Sequence, residues 1–588
     1  MKTTTLASHT RREDAVRARI ASFRHGEDGS LIIFGLFIFL LMLMVGGLAV
    51  DLMRLETTRV KLQGTSDRCA LSAADLDQKL EPNAVVTDCF AKAGMSEFQD
   101  GPAIIDQGVN YRVVTVNAKA RVPMLFSNLL SVFGPTEKFG TLEVLTAPGT
   151  STAEERITDV EISLVLDMSS SMQQNSKLPN LRTAAKAFIE TVLQNNEPSS
   201  AGLTTVSIVP YSAVVNPGVT LAPFYAMTNE HDYSSCLLAN TSEFNGTWIN
   251  PSIVHQRVSQ FDYGAETNTS QTPIKRPWCF KPDENPIVVH SYDATQMKTA
   301  VDNLVSFGNT AIDLGMIWAS TLLDPRTRPI VNSLISTGAV QADAVDRPAA
   351  WDAQDALKII VLMTDGENTQ EYDLSEPYKS GLSSIWVNKQ YAGDLLGSTA
   401  NNRFSVQYEG QSTTNNRSDD KFYWLGQSSS NTLRNYPNGF PGGESGYRSA
   451  AYPATMVGKG VDYTSTVRQL SWQDVYATWV RTVIYNKFFN APYNAGKIDY
   501  NTYTATYYAL ETVVNDSQAD TRLANVCQAA KDEGVIIYTV AFEAPSGGQA
   551  ALLDCATSPS HYYNVAGTNI RDAFASIASD IANLKLTQ

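Results

Sequence analysis

Closely spaced oxygen-bearing side chains follow one apolar stretch of this 588-residue chain. Residues 160–166 alternate and branch like a buried β-strand, and Asp167, Ser169 and Ser171 come directly after them. In an open α/β sheet such a loop lies at the carboxyl end of the strand, where ligands bind, and its oxygens suit a hard cation. Serine-rich loops after strands also cap helices, so this loop alone leaves both interpretations open.

Two further loops offer the same kind of donor. Thr310 lies at the start of a helical apolar pattern, and Asp365 directly follows a strand-like run at 357–364. Thr310 alone is equally suited to be an N-cap. With the first loop, these residues predict a site for Mg²⁺ or another divalent cation such as Mn²⁺, which takes oxygen ligands and readily retains water among them.

The order Asp-x-Ser-x-Ser, then Thr, then Asp resembles the metal-ion-dependent adhesion site of von Willebrand factor A (VWA)-like domains. The resemblance implies that Ser169, Ser171 and Thr310 ligate the ion directly. It implies that Asp167 and Asp365 bind the ion directly or through water, and that an acidic side chain of a partner protein completes the coordination shell. The alternative is a domain of this fold whose site is empty.

Alternating strand and helix patterns over residues 159–588 predict a Rossmann-like α/β domain with a doubly wound, mostly parallel sheet. Two stretches, about 216–292 and 371–515, interrupt the alternation and are predicted to be insertions. The second is rich in tyrosine, which suits either a binding surface or a core of the insertion itself. The predicted strands are 160–166, 203–209, 357–364 and 535–541, and the predicted helices are 180–194, 293–305, 311–323, 521–533 and 569–585.

One apolar segment, residues 31–50, carries no charged residue and is long enough to span a bilayer as a helix. The basic residues before it predict that residues 1–30 stay cytoplasmic and that the rest is exported. A cleaved signal peptide is the alternative, because Gly47-Leu48-Ala49 offers small residues for cleavage, but the apolar stretch is longer than a usual signal core. The basic residues are Lys2, Arg11, Arg12, Arg17, Arg19 and Arg24.

The apolar register continues beyond the membrane segment. Extended through Leu55, Leu62 and Ala73, it predicts one helix from about Leu31 to about Leu80, ended by Pro82. The alternative is an amphipathic helix packed on a small domain of its own. Residues 103–148 alternate like a small β-rich piece, and residues 149–158, which begin just after Pro148, are predicted to be a linker.

This region resembles the N-terminal segment of TadE/TadG-like proteins of tight-adherence (Flp) pilus assembly, and the whole chain resembles a TadG-like protein with a VWA-like domain. The resemblance implies a membrane segment that continues into a pilin-like helix within 51–148. Phe34 departs from the pattern, because true type IV prepilins carry Glu at this distance from their cleavage glycine. The matching residues are Asp28-Gly29-Ser30, Gly46-Gly47-Leu48-Ala49-Val50-Asp51, Leu62-Gln63, Asp67 and Ala70-Leu71-Ser72-Ala73-Ala74.

Composition limits the possible functions. With 45 Lys and Arg against 60 Asp and Glu, the net charge of −15 argues against a nucleic-acid partner. The sequence has no His-Glu-x-x-His, Walker A or Gly-x-Ser-x-Gly motif, so an enzyme is not predicted. Six cysteines on the exported side point to disulfides. Nearest-neighbour pairing is the simplest of the possible pairings: Cys69 with Cys89, Cys236 with Cys279, and Cys527 with Cys555.

These observations predict a single-pass protein of a bacterial inner membrane whose C-terminal domain is periplasmic or at the cell surface. Its predicted function is metal-dependent protein binding in Flp/Tad-type pilus assembly or adhesion, with no small-molecule substrate. The expected partner is a pilus or secretion-system component with an exposed acidic residue. Two alternatives remain: a surface adhesin for host or matrix ligands, and a structural minor pilin whose metal site is vestigial.

Overall fold

The chain forms two compact units, Met1–Ile157 and Thr158–Gln588, and each has its own hydrophobic core in the computed structural model. The residues that the structure describes are 30–75, 78, 80–107, 111–126, 144–156, 159–194, 196, 202–263, 274–353, 355–390, 403–410, 417–427, 432–451 and 460–587.

Helix α1 of the first unit, Ser30–Ala74, begins with an exposed apolar half. Most side chains from Leu31 to Val45 are open, and that of Leu31 is 76% exposed. Within the described residues, α1 is the one helix that is long and apolar enough to cross a membrane. Because so much apolar surface is unfavourable in water, this half fits the membrane segment predicted at 31–50.

The second half of α1 packs on a small antiparallel sheet. Leu62, Cys69 and Ala73 are buried against inward-facing residues of the central strand, such as Val114 and Val116. The alternative of an amphipathic helix on its own domain is therefore correct for this half. The other elements are α2, Pro82–Lys92, and the strands β1, Ile104–Gln107, β2, Tyr111–Pro123, and β3, Val144–Arg156, in the order β1-β2-β3.

Helix α1 ends at Ala74, before the predicted end at Leu80. The buried face of the helix stops there because the sequence turns polar from Asp75 onwards. Pro82 starts helix α2 instead of ending α1, and the Glu81 carboxylate accepts a hydrogen bond from the Ala84 N–H at the start of that helix. Proline is tolerated in a first helical turn because its missing N–H is not needed there.

The predicted linker at 149–158 is wrong for residues 149–156, which belong to β3 and pair with β2. Pro148 is tolerated because β3 is an edge strand. Gly149 is needed for packing, since a Cβ on it would lie 3.0 Å from the Cγ of Leu62 on α1. The turn-like composition thus reflects an edge strand that a helix crosses closely.

The second unit is built on a six-stranded sheet that is parallel except for one edge strand, β6. The predicted doubly wound, mostly parallel sheet is confirmed, and its strand order is β9-β8-β7-β4-β5-β6. The strands are β4, Asp159–Asp167; β5, Thr204–Tyr211; β6, Val288–Ser291; β7, Ala356–Thr364; β8, Ile536–Phe542; and β9, Tyr562–Val565.

Helices cover both faces of this sheet. Alternate residues of β4, such as Ile162 and Leu164, contribute to a core with α3, α4 and α8 on one face, whereas Val165 belongs to the core on the other face with α5, α6 and α7. Burial of both faces explains why the strands read as continuous apolar runs. The helices are α3, Lys177–Leu193; α4, Ala294–Asp302; α5, Ile312–Leu323; α6, Asp516–Asp532; α7, Ser546–Cys555; and α8, Ile570–Thr587.

The first insertion is mostly irregular, with a helix at Gly218–Leu221 and a two-stranded ribbon, Leu237–Leu238 with Gln256–Arg257. Its predicted end at 292 is wrong, because Val288–Ser291 is the antiparallel edge strand β6 of the main sheet. This strand contains a buried histidine, His290, and its brevity hid it from the alternation pattern. The helix Arg328–Ser336 follows α5.

The second insertion has its own antiparallel sheet of six strands. Trp386, Phe422 and Tyr447 pack inside it, so the prediction that the aromatic residues form a core holds for these three. The strands, in sheet order, are Leu433–Arg434, Lys421–Trp424, Phe404–Glu409, Leu382–Asn388, Val467–Ser471 and Val461–Asp462; Glu371–Leu374 pairs separately with Leu510–Val514, and helices lie at Gly443–Ser449, Trp472–Thr478, Arg481–Ile484, Asn490–Asn494 and Tyr500–Ala505.

The three disulfides join each cysteine to its nearest neighbour along the chain. They are Cys69–Cys89 in the first unit, Cys236–Cys279 within the first insertion, and Cys527–Cys555 between α6 and α7. The simplest predicted pairing is confirmed.

Candidate metal centre

The predicted site residues lie at the point of the main sheet where the chain reverses its direction of winding. From β4 the chain proceeds to β5 on one side, and β7 returns on the other side of β4. Loops leaving adjacent parallel strands in opposite directions open a crevice, and ligands of open α/β sheets bind there. Asp167 ends β4, and Asp365 follows β7 directly. The strand order therefore places both carboxylates at this crevice.

Three oxygen-bearing side chains converge on one another at this crevice. The Ser171 hydroxyl donates to the Oδ1 of Asp365 at 2.7 Å, and the Ser169 hydroxyl lies 3.3 Å from the same oxygen. The two serine hydroxyls are 2.8 Å apart. The structure thus brings the first and third predicted loops into direct contact through their predicted donor atoms.

Asp167 organises both of these loops. Its Oδ1 accepts a hydrogen bond from the Ser169 N–H at 2.7 Å, and its Oδ2 accepts from the Thr364 hydroxyl at 2.6 Å. The side chain of Asp167 is fully buried. Burial and the negative charge of Asp365 raise the pKa of Asp167 to about 6. Two neighbouring buried carboxylates in this state attract a cation.

Backbone hydrogen bonds hold the Thr310 loop against the other two loops. The Ser170 N–H donates to the Gly308 carbonyl, and the Gly308 N–H donates to the Ser170 hydroxyl, both at 3.0 Å. The Thr369 N–H donates to the Thr310 carbonyl at 2.9 Å. A Cβ built on Gly366 would lie 3.1 Å from the Thr310 hydroxyl, so that hydroxyl lies against the residue following Asp365. The structure therefore places all five predicted residues at one sheet edge.

The donor set suits a small hard cation better than a soft one. It offers three hydroxyls and two carboxylates, and no thiolate or imidazole is among the predicted donors. Within the described part of the chain, no group of three or more His, Cys, Asp and Glu side chains is arranged to hold a metal. The predicted site has only two carboxylates and so does not form such a group. The candidate metal site therefore depends on its three hydroxyl groups.

Lys177 is a member of this site that the sequence analysis missed. Its Nζ donates to the Oδ2 of Asp365 at 3.0 Å, and the side chain is only 8% exposed. The helix predicted at 180–194 begins at Lys177, because Pro179 is tolerated within the first turn. The available signal was a lysine at a helix start, where acidic residues are normally favoured.

A second buried carboxylate pair follows the Thr310 and Asp365 loops in the sequence. Arg522 on α6 lies between Asp313 and Glu371, with Nη1 3.7 Å from Asp313 Oδ2 and 3.5 Å from Glu371 Oε1. Burial raises the pKa of Asp313 to about 6, and burial and the charge of Asp313 raise the pKa of Glu371 well above its usual range. One arginine is thus shared by two carboxyl groups that are favoured to hold a proton between them.

Comparison with known families concerns the first unit. Residues 29–76 match the profile of the Flp pilus-assembly TadE/G-like family. Helix α1, Ser30–Ala74, lies within the matched range. The N-terminal segment is TadE/G-like. The resemblance in the apolar span and in the packed half of α1 is therefore borne out, while the TadE/G-like segment covers only a small part of the chain. Curated proteins show no match to the sequence.

Comparison with solved structures concerns the fold. The chain is similar to the vWF domain of the type V pili tip protein Mfa5 from Porphyromonas gingivalis, at 11% identity and a TM-score of 0.29 over 74% of this chain and 98% of that one. It is also similar to the pilus adhesin RrgA from Streptococcus pneumoniae, at 11% identity and a TM-score of 0.27, over 82% and 49% of the two chains.

A third similar structure is proximal thread matrix protein 1 from the mussel byssus with a zinc-occupied MIDAS motif. The identity is 10%, the TM-score is 0.23, and the coverage is 73% of this chain and 46% of that one. These TM-scores are low, so the doubly wound, mostly parallel α/β fold is assigned from the strand order and the parallel register described above.

Proposed function

We propose that this protein acts in Flp/Tad-type pilus assembly or adhesion and binds a protein partner through a divalent cation, Mg²⁺ or Mn²⁺. The observation that carries the proposal is the convergence of the Ser169 and Ser171 hydroxyls on the Asp365 carboxylate, at the switch point of a doubly wound sheet. The TadE/G-like segment supports the link to pili.

Each side chain has a distinct role in this proposal. Ser169, Ser171 and Thr310 supply neutral oxygens, and Asp365 supplies a charged one. Asp167 holds the loops through its hydrogen bonds to Ser169 and Thr364 and compensates the positive charge. A bound ion supplies Lewis acidity that is little reduced by neutral hydroxyls. An acidic side chain of the partner, a pilus or secretion-system component, then completes the coordination shell.

The membrane segment sets where this binding takes place. The exposed apolar half of α1 fits an anchor, and the basic residues before Leu31 favour a cytoplasmic N-terminus in a bacterial inner membrane. The three disulfides favour an oxidising compartment for everything beyond the anchor. The VWA-like domain then faces the periplasm or the cell surface, where a protein partner can reach it.

The test compares two serines of one loop. Ser171→Ala removes a hydroxyl that touches Asp365, whereas Ser170→Ala removes a hydroxyl that lies outside the donor set. The second variant loses the acceptor of the Gly308 N–H but keeps the hydrogen bond from the Ser170 N–H to the Gly308 carbonyl. Calorimetric titration of the full-length protein in detergent micelles with Mg²⁺ should show one binding event. Ser171→Ala should weaken it by roughly tenfold or more, which is about 1.4 kcal/mol.

Asp365→Asn should abolish the event, and Ser170→Ala should leave the affinity within roughly threefold of the parent value. Equal losses in the two serine variants would show that the loop matters only as a scaffold. A flat titration of the parent protein with both Mg²⁺ and Mn²⁺ would overturn the proposal.

A further inference from the structure

A buried ammonium group already lies on one of the proposed ion ligands. The Nζ of Lys177 is 3.0 Å from the Oδ2 of Asp365 and 3.9 Å from the Oε2 of Glu543. Lysine is among the residues least often buried, because its charge must be compensated. Here the compensation comes from the Asp365 carboxylate.

The local backbone that places Lys177 is unfavourable by itself. Asn175 and Ser176, the two residues before it, both have left-handed conformations, with φ of 52° and 57°. For residues other than glycine such conformations are energetically unfavourable. A positive charge at the start of α3 also opposes the helix dipole. Strained backbone of this kind is typical of functional sites.

The two oxygens of Asp365 have separate partners. Its Oδ1 faces the hydroxyls of Ser169 and Ser171, and its Oδ2 faces Lys177. An ion ligated on the hydroxyl side would therefore not compete with the ammonium for the same oxygen. Lys177 is able to stay in place when the site is loaded.

We infer that Lys177 is a specificity-determining residue of the proposed site. Lys177 lowers the affinity of the empty site for the divalent cation, and it raises the affinity of the ion-loaded site for an anionic group of a partner. The inference rests on the proposed function. Asp167, Asp365 and Lys177 together carry one negative charge, so a divalent ion leaves the site with one positive charge. Without Lys177 the loaded site would be neutral, and a carboxylate would gain less from entering it.

Glu543 moderates this effect from the other side of the lysine. It follows β8 with φ of 55°, and its Oε1 accepts a hydrogen bond from the Gly567 N–H at 2.9 Å. Its side chain is 24% exposed, so its charge is screened more than that of buried Asp365. Removing its charge should leave the ammonium less compensated and strengthen the repulsion of a divalent ion.

The experiment uses the full-length protein in detergent micelles and two probes, Mn²⁺ alone and then acetate added to the Mn²⁺-loaded protein. Lys177→Met should bind Mn²⁺ at least roughly fivefold more tightly, and Glu543→Gln should bind it more weakly than the parent. Acetate affinity, followed by water-proton relaxation as acetate displaces water from Mn²⁺, should fall in Lys177→Met. Tighter Mn²⁺ binding together with weaker acetate binding in Lys177→Met would support the inference.

The outcomes separate the inference from the proposed function. Unchanged Mn²⁺ and acetate affinities in Lys177→Met would overturn the inference while the proposed function stands. No Mn²⁺ binding by the parent, whether or not Lys177→Met binds the ion, would overturn the proposed function and with it the inference. Should Lys177→Met fail to fold, as judged by circular dichroism, Lys177→Gln and Glu543→Gln carry the test.

Discussion

Among the five candidate ligands at the carboxyl ends of β4 and β7, hydroxyl groups outnumber carboxylates. This ratio determines how much negative charge the candidate site carries. Ser169, Ser171 and Thr310 contribute no charge, so two aspartates must balance a divalent ion alone. Lys177 reduces even that balance through its contact with Asp365. Under the proposed function, a bound ion would therefore still lack an anionic ligand, and an acidic side chain of a partner would supply it.

The pattern of donors was predictable from the sequence, whereas the lysine beside them was not. Asp167 and Asp365 follow strands that the apolar runs identify, and parallel strand ends meet at one edge. Lys177 reaches Asp365 only because a left-handed turn at Asn175 and Ser176 redirects the chain. No spacing rule predicts such a turn, since these residues are usually right-handed or extended.

The buried carboxyl pair Asp313–Glu371 should make the stability of the protein depend on pH. Because the pKa of both groups is raised in the folded protein, with that of Asp313 at about 6, the folded state binds protons more tightly than the unfolded state. The contribution of Asp313 to stability is therefore fully present below pH about 4 and is lost as pH rises through about 6, whereas that of Glu371 is lost as pH rises well above the usual range of a glutamate pKa.

Glu371→Gln should remove much of this loss, because a neutral amide needs no proton to lie beside the buried Asp313 carboxylate. In urea denaturation, the variant should be more stable than the parent at pH 7.5 by roughly 1–3 kcal/mol, and this advantage should disappear near pH 4.5. Glu511→Gln is the matched control, because Glu511 is an exposed carboxylate on the strand that pairs with the strand carrying Glu371; its one change is the loss of a surface ion pair with Lys379. An advantage of equal size at both pH values would contradict the shared proton.

Among the secondary-structure elements, helix α5 couples the Thr310 loop to the sheet. A Cβ on Gly315 would lie 2.8 Å from the Tyr211 ring on β5 and 3.0 Å from Val165 on β4. The Tyr211 hydroxyl in turn donates to the Met363 carbonyl of β7. The helix therefore packs as closely as a glycine allows on the strands that carry the candidate site.

Gly315→Ala should push α5 away from the sheet and cost about 1–3 kcal/mol. Amide hydrogen exchange of the peptide 312–323 should accelerate, and Mg²⁺ affinity should fall because Thr310 moves with the helix. Gly64→Ala is the control, since a Cβ there meets nothing within 4 Å and should slow exchange in α1 instead. Unchanged exchange at 312–323 in Gly315→Ala would contradict this close contact.

Two of the strands that the sequence failed to predict share a physical cause. Strand β3 contains Pro148 and Gly149, which normally indicate turns, but an edge position tolerates the proline and the crossing helix requires the glycine. Strand β6 is only four residues long, too short for a periodic signal. In both cases a tertiary contact decided the structure, and single-sequence patterns do not contain tertiary contacts.

For the whole molecule, the insertions show the limit of sequence reasoning most clearly. Four of the six main-sheet strands and five of the helices α3 to α8 were predicted within a few residues, because buried parallel strands and amphipathic helices have strong patterns, whereas β6, β9 and α7 were not predicted. The six-stranded antiparallel sheet within 371–515 was not predicted, because its strands are short and several are separated by long loops. Its fold depends on pairings that are distant in sequence.

The proposed membrane topology of the whole chain can be tested with a reporter enzyme. Alkaline phosphatase fused after Gln588 should be active in cells, because the enzyme folds only outside the cytoplasm and the basic N-terminus retains residues 1–30 inside. The same fusion lacking residues 31–50 should be inactive, which controls for leakage. Activity of the deleted form, or inactivity of the intact fusion, would contradict single-pass anchoring with this orientation.

If the chain is exported as proposed, the order of its disulfides has a consequence for how it would mature. Each of the three bonds joins cysteines that are consecutive in the sequence. When the chain emerges N-terminus first, Cys89 follows Cys69 before any other thiol appears, and the same holds for each later pair. Oxidation in order of appearance therefore yields the native set directly.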